Sequence, residues 1–214
     1  NLSNGTMFPN VDFDGNQLSE AYAKSRSRWE PLYETTQIKG DSEAHPLLSP
    51  TDEFSNYETW NSWAGRNKKD LQKKDSILRK KSEYTRSGLK LGLKHQANIG
   101  INPFKFGLIG STDAHTSLAT ADEDNFFGKI TDFEPRVSRM GKTSWGLNEW
   151  EYSAAGYAAV WAEENTRDSL FASMKRKEVY ATTGPRMTVR FFGGWDFSKD
   201  DAFKPDLAKI GYSK

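Results

Sequence analysis

The sequence predicts an α/β fold, a single domain over residues 1–214 with a largely parallel sheet and long loops. Three observations carry that expectation. The run Phe106-Gly107-Leu108-Ile109-Gly110 is apolar, has a strand's length and is bounded by glycines. Just before it, residues 75–97 place Ile77, Leu78, Tyr84, Leu89, Leu91 and Leu93 at three- and four-residue steps, the period of an amphipathic helix. A helix feeding a buried strand is one αβ unit of a parallel sheet or barrel. Residues 156–182 then read as strand, helix and strand, a second such unit. Phe106–Ile109, Ala158–Ala162 and Val179–Ala181 are therefore expected to be neighbours in one sheet, with the helix around Ile77–Leu93 packed on it.

The elements follow in order. Residues 1–16 are rich in Asn, Gly and Pro and read as loop. Ser19 is a candidate N-cap for a helix to about Trp29, with Leu18, Tyr22 and Trp29 as apolar contacts, and Pro31 ends it. Leu32-Tyr33-Glu34-Thr35-Thr36-Gln37-Ile38 is aromatic and β-branched, hence strand. Residues 47–75 form a surface segment anchored by Phe54, Tyr57, Trp60 and Trp63. Gly100 and Pro103 stop the helix of residues 75–97. Residues 116–155 are a long connection, of a length usually tied to function. Thr166 caps a short helix with Asp168 in its first turn and Lys175-Arg176-Lys177 at its end, matching the helix dipole. Val179–Thr182 is the next strand, Thr183-Gly184-Pro185 a turn, and Met187–Phe192 another strand. The tail from Trp195 gives no clear pattern.

Composition limits the function. Thirty basic and 29 acidic side chains leave a net charge of +1, so no global field draws the chain to nucleic acid. The basic run from Arg66 to Lys81 reads as a solvated helix face, without a nucleic-acid-binding motif. No stretch is long and apolar enough to span a bilayer. There is no cysteine, which excludes disulfides and thiolate metal sites; any metal would take oxygen and imidazole ligands. The chain opens on Asn1 rather than Met; a signal peptide upstream would imply a periplasmic or secreted protein.

Two polar clusters follow strands, where α/β folds place their sites. Asp113 and His115, two residues apart, would point to the same side of an extended tip and could bind a divalent ion together. Lys39-Gly40-Asp41-Ser42-Glu43-Ala44-His45-Pro46 is the second cluster and also reads as an ordinary Gly/Pro loop.

Phe106–His115, read with Gln37–Glu43 and Tyr180-Ala181-Thr182-Thr183-Gly184-Pro185-Arg186, resembles the DUF3604 family, a relative of the PHP (polymerase and histidinol phosphatase) metal-dependent hydrolases. Val160–Arg167 and Arg190–Trp195 extend the likeness, which covers roughly Trp29 to Trp195. It implies a distorted β/α barrel holding divalent metals (Mn, Zn or Fe) and hydrolysing small phosphate or sulfate esters. The late Asp-x-His of such proteins maps onto Asp113 and His115. Their early His-x-His and middle ligands have no counterpart, since the three histidines are His45, His95 and His115. The chain is thus expected to be the C-terminal portion of a longer enzyme. Arg186 is the expected cationic donor to the transferring group; His45 and Glu43 are expected at the rim, as substrate contacts or a metal ligand. The competing expectation is a non-catalytic α/β module that binds a ligand or partner.

Overall fold

A computed structural model describes residues 3, 5–59, 74–117, 137–141 and 156–214. The anchors expected at Trp60 and Trp63, most of the basic run and nearly all of the long connection lie outside them. The fold is mixed α/β with two small sheets and no closed barrel among the described residues.

Helix α1 (Glu20–Trp29) starts as expected, with the Ser19 hydroxyl accepting from the Tyr22 amide. Strand β1 (Leu32–Gln37) turns through Ile38 and Lys39 into the two-residue β2 (Gly40–Asp41), its antiparallel partner. Gly40 takes φ +88°, a left-handed value that favours glycine. On its other side β1 pairs in parallel with β3 (Gly107–Gly110), from Leu32 opposite Gly107 to Thr36 opposite Gly110, with a bulge between Glu34 and Thr36. The ends of β1 and β3 therefore lie side by side.

The helical stretch before β3 divides in two, α2 (Lys74–Lys81) and α3 (Thr85–Ile99), where one helix was expected. Tyr84, fully buried, occupies the break. It offers no side-chain cap, and the first amides of α3 are taken by the loop after β2: Thr85 N donates to Ser42 O at 2.9 Å, Arg86 N to Glu43 O at 3.1 Å. Gly100 closes α3 at φ +78°.

The core gathers where these elements meet. Phe8, from the N-terminal loop, is fully buried against Tyr33 and Phe104, with ring centroids 5.1 and 5.3 Å away. Phe106 and Leu108 of the β3 segment and Leu91 of α3 pack around it. Tyr33 alternates with Glu34 along β1, so the core aromatic and the carboxylate described below project from opposite faces of the strand.

The second half departs from the expected parallel unit. Strands β4 (Tyr157–Val160) and β5 (Val179–Thr182) form their own sheet and run antiparallel, Tyr157 opposite Thr182 and Val160 opposite Val179. Helix α4 (Arg167–Arg176), capped by Thr166, is an excursion rather than a crossover. Lys177 ends it in the left-handed region, and Trp161 N donates to Glu178 O at 2.9 Å, so β5 starts where β4 stopped. The strand expected at 187–192 does not form either. Its backbone is held by side chains: Val189 N donates to the Tyr180 hydroxyl, which donates to Met187 O, and Trp161 Nε1 donates to Val189 O. A short 3₁₀ turn (Lys199–Phe203) and helix α5 (Leu207–Ser213) complete the chain.

The two sheets meet without room for side chains. A Cβ on Gly107 would lie 2.6 Å from Val179, and one on Gly110 would lie 2.9 Å from Tyr157 O. Because Tyr157 pairs with Thr182, β5 runs beside β3 in the same direction. Strand β3 thus has two parallel neighbours, of which only β1 joins it in a ladder.

Candidate functional site

At the carboxyl ends of β1 and β3 the polar groups of both strands converge. Ser111 N donates to Thr36 O at 3.0 Å, extending the pairing one step past β3. A Cβ on Gly156 would come within 2.6 Å of Ser111 O and 2.7 Å of Thr36 O, so the lead-in to β4 presses on this junction and only glycine fits. Ser111 Oγ hydrogen-bonds Glu34 Oε1, and Gln37 Nε2 donates to Glu34 Oε2 at 2.9 Å.

The chain beyond Ser111 is turned rather than extended. The Ser111 and Thr112 hydroxyls accept from the amides two residues on, of Asp113 (3.3 Å) and Ala114 (3.2 Å). Asp113 takes φ +51°, a left-handed conformation Asp enters more readily than most residues. The turn brings the expected pair together: His115 Nε2 lies 3.1 Å from Asp113 Oδ1. The side chains meet as the spacing suggests, but through a turn, not through strand alternation.

The other Asp113 oxygen, Oδ2, binds the Lys39 ammonium. Lys39 comes from the β1–β2 turn, so the ion pair spans the two strand ends. Both side chains are largely enclosed, 14% exposed for Lys39 and 20% for Asp113, whereas His115 is 57% exposed. Lys39 and Glu34 were not singled out as site residues from the sequence. The available signal was a carboxylate inside an aromatic, β-branched strand and a lysine on its tight turn.

The cluster after β2 is used differently. The Glu43 carboxylate takes both Nε (3.0 Å) and Nη2 (2.8 Å) of Arg86, whose Nη1 reaches Asp52. Its polar contacts are with Arg86 and do not include Asp113 or His115. His45 is buried, accepts from Leu47 N at 3.1 Å through Nδ1, and sets its ring edge-on to Tyr84, centroids 5.2 Å apart. Asp41, in β2 just before them, is half-buried; burial, with Glu43 and Glu58 adding repulsion, pushes its carboxyl up to about 7. His95 packs in α3 against Phe104, away from both clusters.

Arg186 is exposed and lies over the Tyr157 ring, 5.1 Å from its centroid. Tyr157 abuts Gly110, which places Arg186 at the end of β3 where Ser111 begins. An open groove of about 910 Å³ lies at the far end of β4, among Trp161, Thr166, Asp168, Arg176, Arg190 and Tyr212. Its lining holds carboxylates but no histidine, so it lacks the carboxylate–imidazole pair of the strand ends.

Asp113 and His115 suit two positions of a divalent ion, one oxygen and one imidazole nitrogen within hydrogen-bond reach of each other. Among the described residues no third His, Cys, Asp or Glu joins them to complete a metal-binding group. No helix among the described residues is long and apolar enough to cross a membrane.

Fold and site together define a mixed α/β protein with a carboxylate–imidazole pair at the ends of adjacent parallel strands. The chain belongs to the DUF3604 family, described as proteins of unknown function, whose model matches residues 1–214. No curated protein and no solved structure matches it.

Proposed function

We propose that this chain contributes Asp113 and His115 as metal ligands to a divalent-metal-dependent hydrolase of small phosphate or sulfate esters, in the manner of PHP-like enzymes. The observation that supports it is the convergence of these two side chains at the carboxyl ends of two parallel strands. A bound divalent ion would supply a hydroxide at neutral pH and polarise the ester oxygen. The remaining positions of the ion would be filled by groups outside the described residues. Arg186, stacked on Tyr157 at the same end of β3, would balance charge on the transferring group.

A specific observation favours a second reading. The Lys39–Asp113 ion pair already neutralises the carboxylate, as it would in a purely structural role in a ligand- or partner-binding module. Asp113→Ala and His115→Ala in the full-length protein separate the two. The hydrolase reading expects bound Mn²⁺ or Zn²⁺ and ester turnover to fall together, about 10-fold or more, with the melting temperature nearly unchanged for His115→Ala. Variants that melt early yet keep metal and turnover would support the structural module.

A further inference from the structure

Resting on the metal-ligand reading of Asp113, we propose that Lys39 is the resident counter-cation of this site: it holds the Asp113 carboxylate in the ion-free protein and competes with a divalent ion for it. Three features carry this. The ammonium sits on one carboxylate oxygen while His115 takes the other, so both oxygens that an ion could use are engaged. Lys39 and Asp113 are only 14% and 20% exposed, so their ion pair is largely shielded from solvent and little screened. The lysine is also fixed independently of the Asp113 loop. It stands between the fully buried Ile38 and Gly40 on a two-residue turn whose register is set by the β1–β2 ladder.

Competition follows from charge. A divalent ion and an ammonium cannot share one carboxylate without like-charge repulsion, so binding of the ion includes displacement of Lys39. The affinity of the site for metal is then set partly by how firmly Lys39 holds on. A lysine suits this role better than an arginine, because its ammonium is a compact point charge on a flexible stem.

The test is Mn²⁺ titration by calorimetry, with melting curves in EDTA, on the full-length protein and its Lys39→Met, Lys39→Arg and Asp113→Asn variants. Lys39→Met should bind Mn²⁺ about tenfold more tightly than the parent, melt lower in EDTA, and regain that loss when Mn²⁺ is added. Lys39→Arg should stay within about threefold of the parent, and Asp113→Asn should lose binding. A Lys39→Met protein that melts lower but binds Mn²⁺ no more tightly, while Asp113→Asn still abolishes binding, overturns the competition and leaves the metal site standing. Mn²⁺ binding indifferent to Asp113→Asn, or absent from parent and Lys39→Met alike, overturns the metal reading and the proposal with it.

Discussion

Two stretches that follow β1 and β3, residues 40–45 and 111–115, look alike in sequence: each is short, polar and carries carboxylate and histidine side chains. In the folded chain they diverge. The first is committed to structure from end to end. The Ser42 and Glu43 carbonyls cap α3, the Ser42 hydroxyl donates to Thr35 O at 2.8 Å, His45 is buried against Tyr84, and Glu43 is paired with Arg86. In the second, the Ser111 amide goes to Thr36 O and the Asp113 and Ala114 amides to the loop's own Ser and Thr hydroxyls. Its carboxylate and imidazole are left facing each other and Lys39 at the strand ends. What separates a scaffold loop from a candidate site is the destination of its polar tips, not its composition.

The largest expected effect breaks or upholds this contrast directly. His45→Ala should lose about 2–3 kcal/mol of stability, through the cavity beside Tyr84 and the Leu47 amide left without its acceptor. His115→Ala, at an exposed ring, should stay within about 0.5 kcal/mol. Urea unfolding of the two variants side by side decides it. Equal losses would mean that the 111–115 loop is as structural as its counterpart.

The contrast also shows how far the sequence could be read. Local signals were reliable wherever one residue type has one physical use. Ser19 and Thr166 cap α1 and α4, Gly100 ends α3, and β1, β3 and β5 lie close to where the aromatic and β-branched runs place them. The Asp113–His115 contact was legible from spacing, though the turn that makes it was not. What failed depended on partners distant in sequence. The break between α2 and α3 exists because loop carbonyls 42 and 43 replace a missing cap. The antiparallel return of β5 is fixed by the Trp161–Glu178 bond, and the Met187–Phe192 strand is pre-empted by the Tyr180 hydroxyl. Lys39 stands in the second polar cluster, but its pairing is not legible there because its partner lies 74 residues away. Hydrophobic period carries no information about such contacts.

A smaller effect lies within the scaffold loop, at Asp41. Its folded carboxyl titrates at about 7 because burial disfavours the charged form. In the unfolded chain it would titrate at about 3.9. Between those values the native state holds a proton that the unfolded chain releases, so stability falls as pH rises through this window. Asp41→Asn keeps an acceptor for the Glu43 amide and removes the titration. It should flatten stability between about pH 4 and pH 7 and raise it at pH 8 by about 1–2 kcal/mol, less than a fully buried group would give. Asp201 works in the opposite sense: Lys204, then Lys214, hold its carboxyl well below the usual range, and its stabilisation is lost only in stronger acid. Denaturant midpoints measured every half pH unit separate the two. An unchanged slope in Asp41→Asn would show that this loop carries no suppressed charge.

The smallest effect is the one that most sharpens the contrast, because it falls on Glu43, the carboxylate expected from the sequence at the rim of the site. Its ion pair with Arg86 is exposed, 49% for Glu43 and 42% for Arg86, so solvent screens it and little net stability is expected from it. Arg86 also keeps Asp52 when Glu43 is neutralised. The part of Glu43 that matters to the fold is its carbonyl, which accepts from Arg86 N and survives any side-chain change. Glu43→Gln should therefore shift stability by no more than about 0.5 kcal/mol, and that shift should vanish in about 0.5 M salt. Mn²⁺ binding should be unchanged, because its contacts with Arg86 place the carboxylate outside the Asp113–His115–Lys39 group. The measurement is calorimetric titration beside a denaturant series at two ionic strengths. A drop in Mn²⁺ affinity comparable to that of Asp113→Asn would make Glu43 a ligand after all. The two loops would then form one site, with the α3 cap serving to hold a metal carboxylate in reserve.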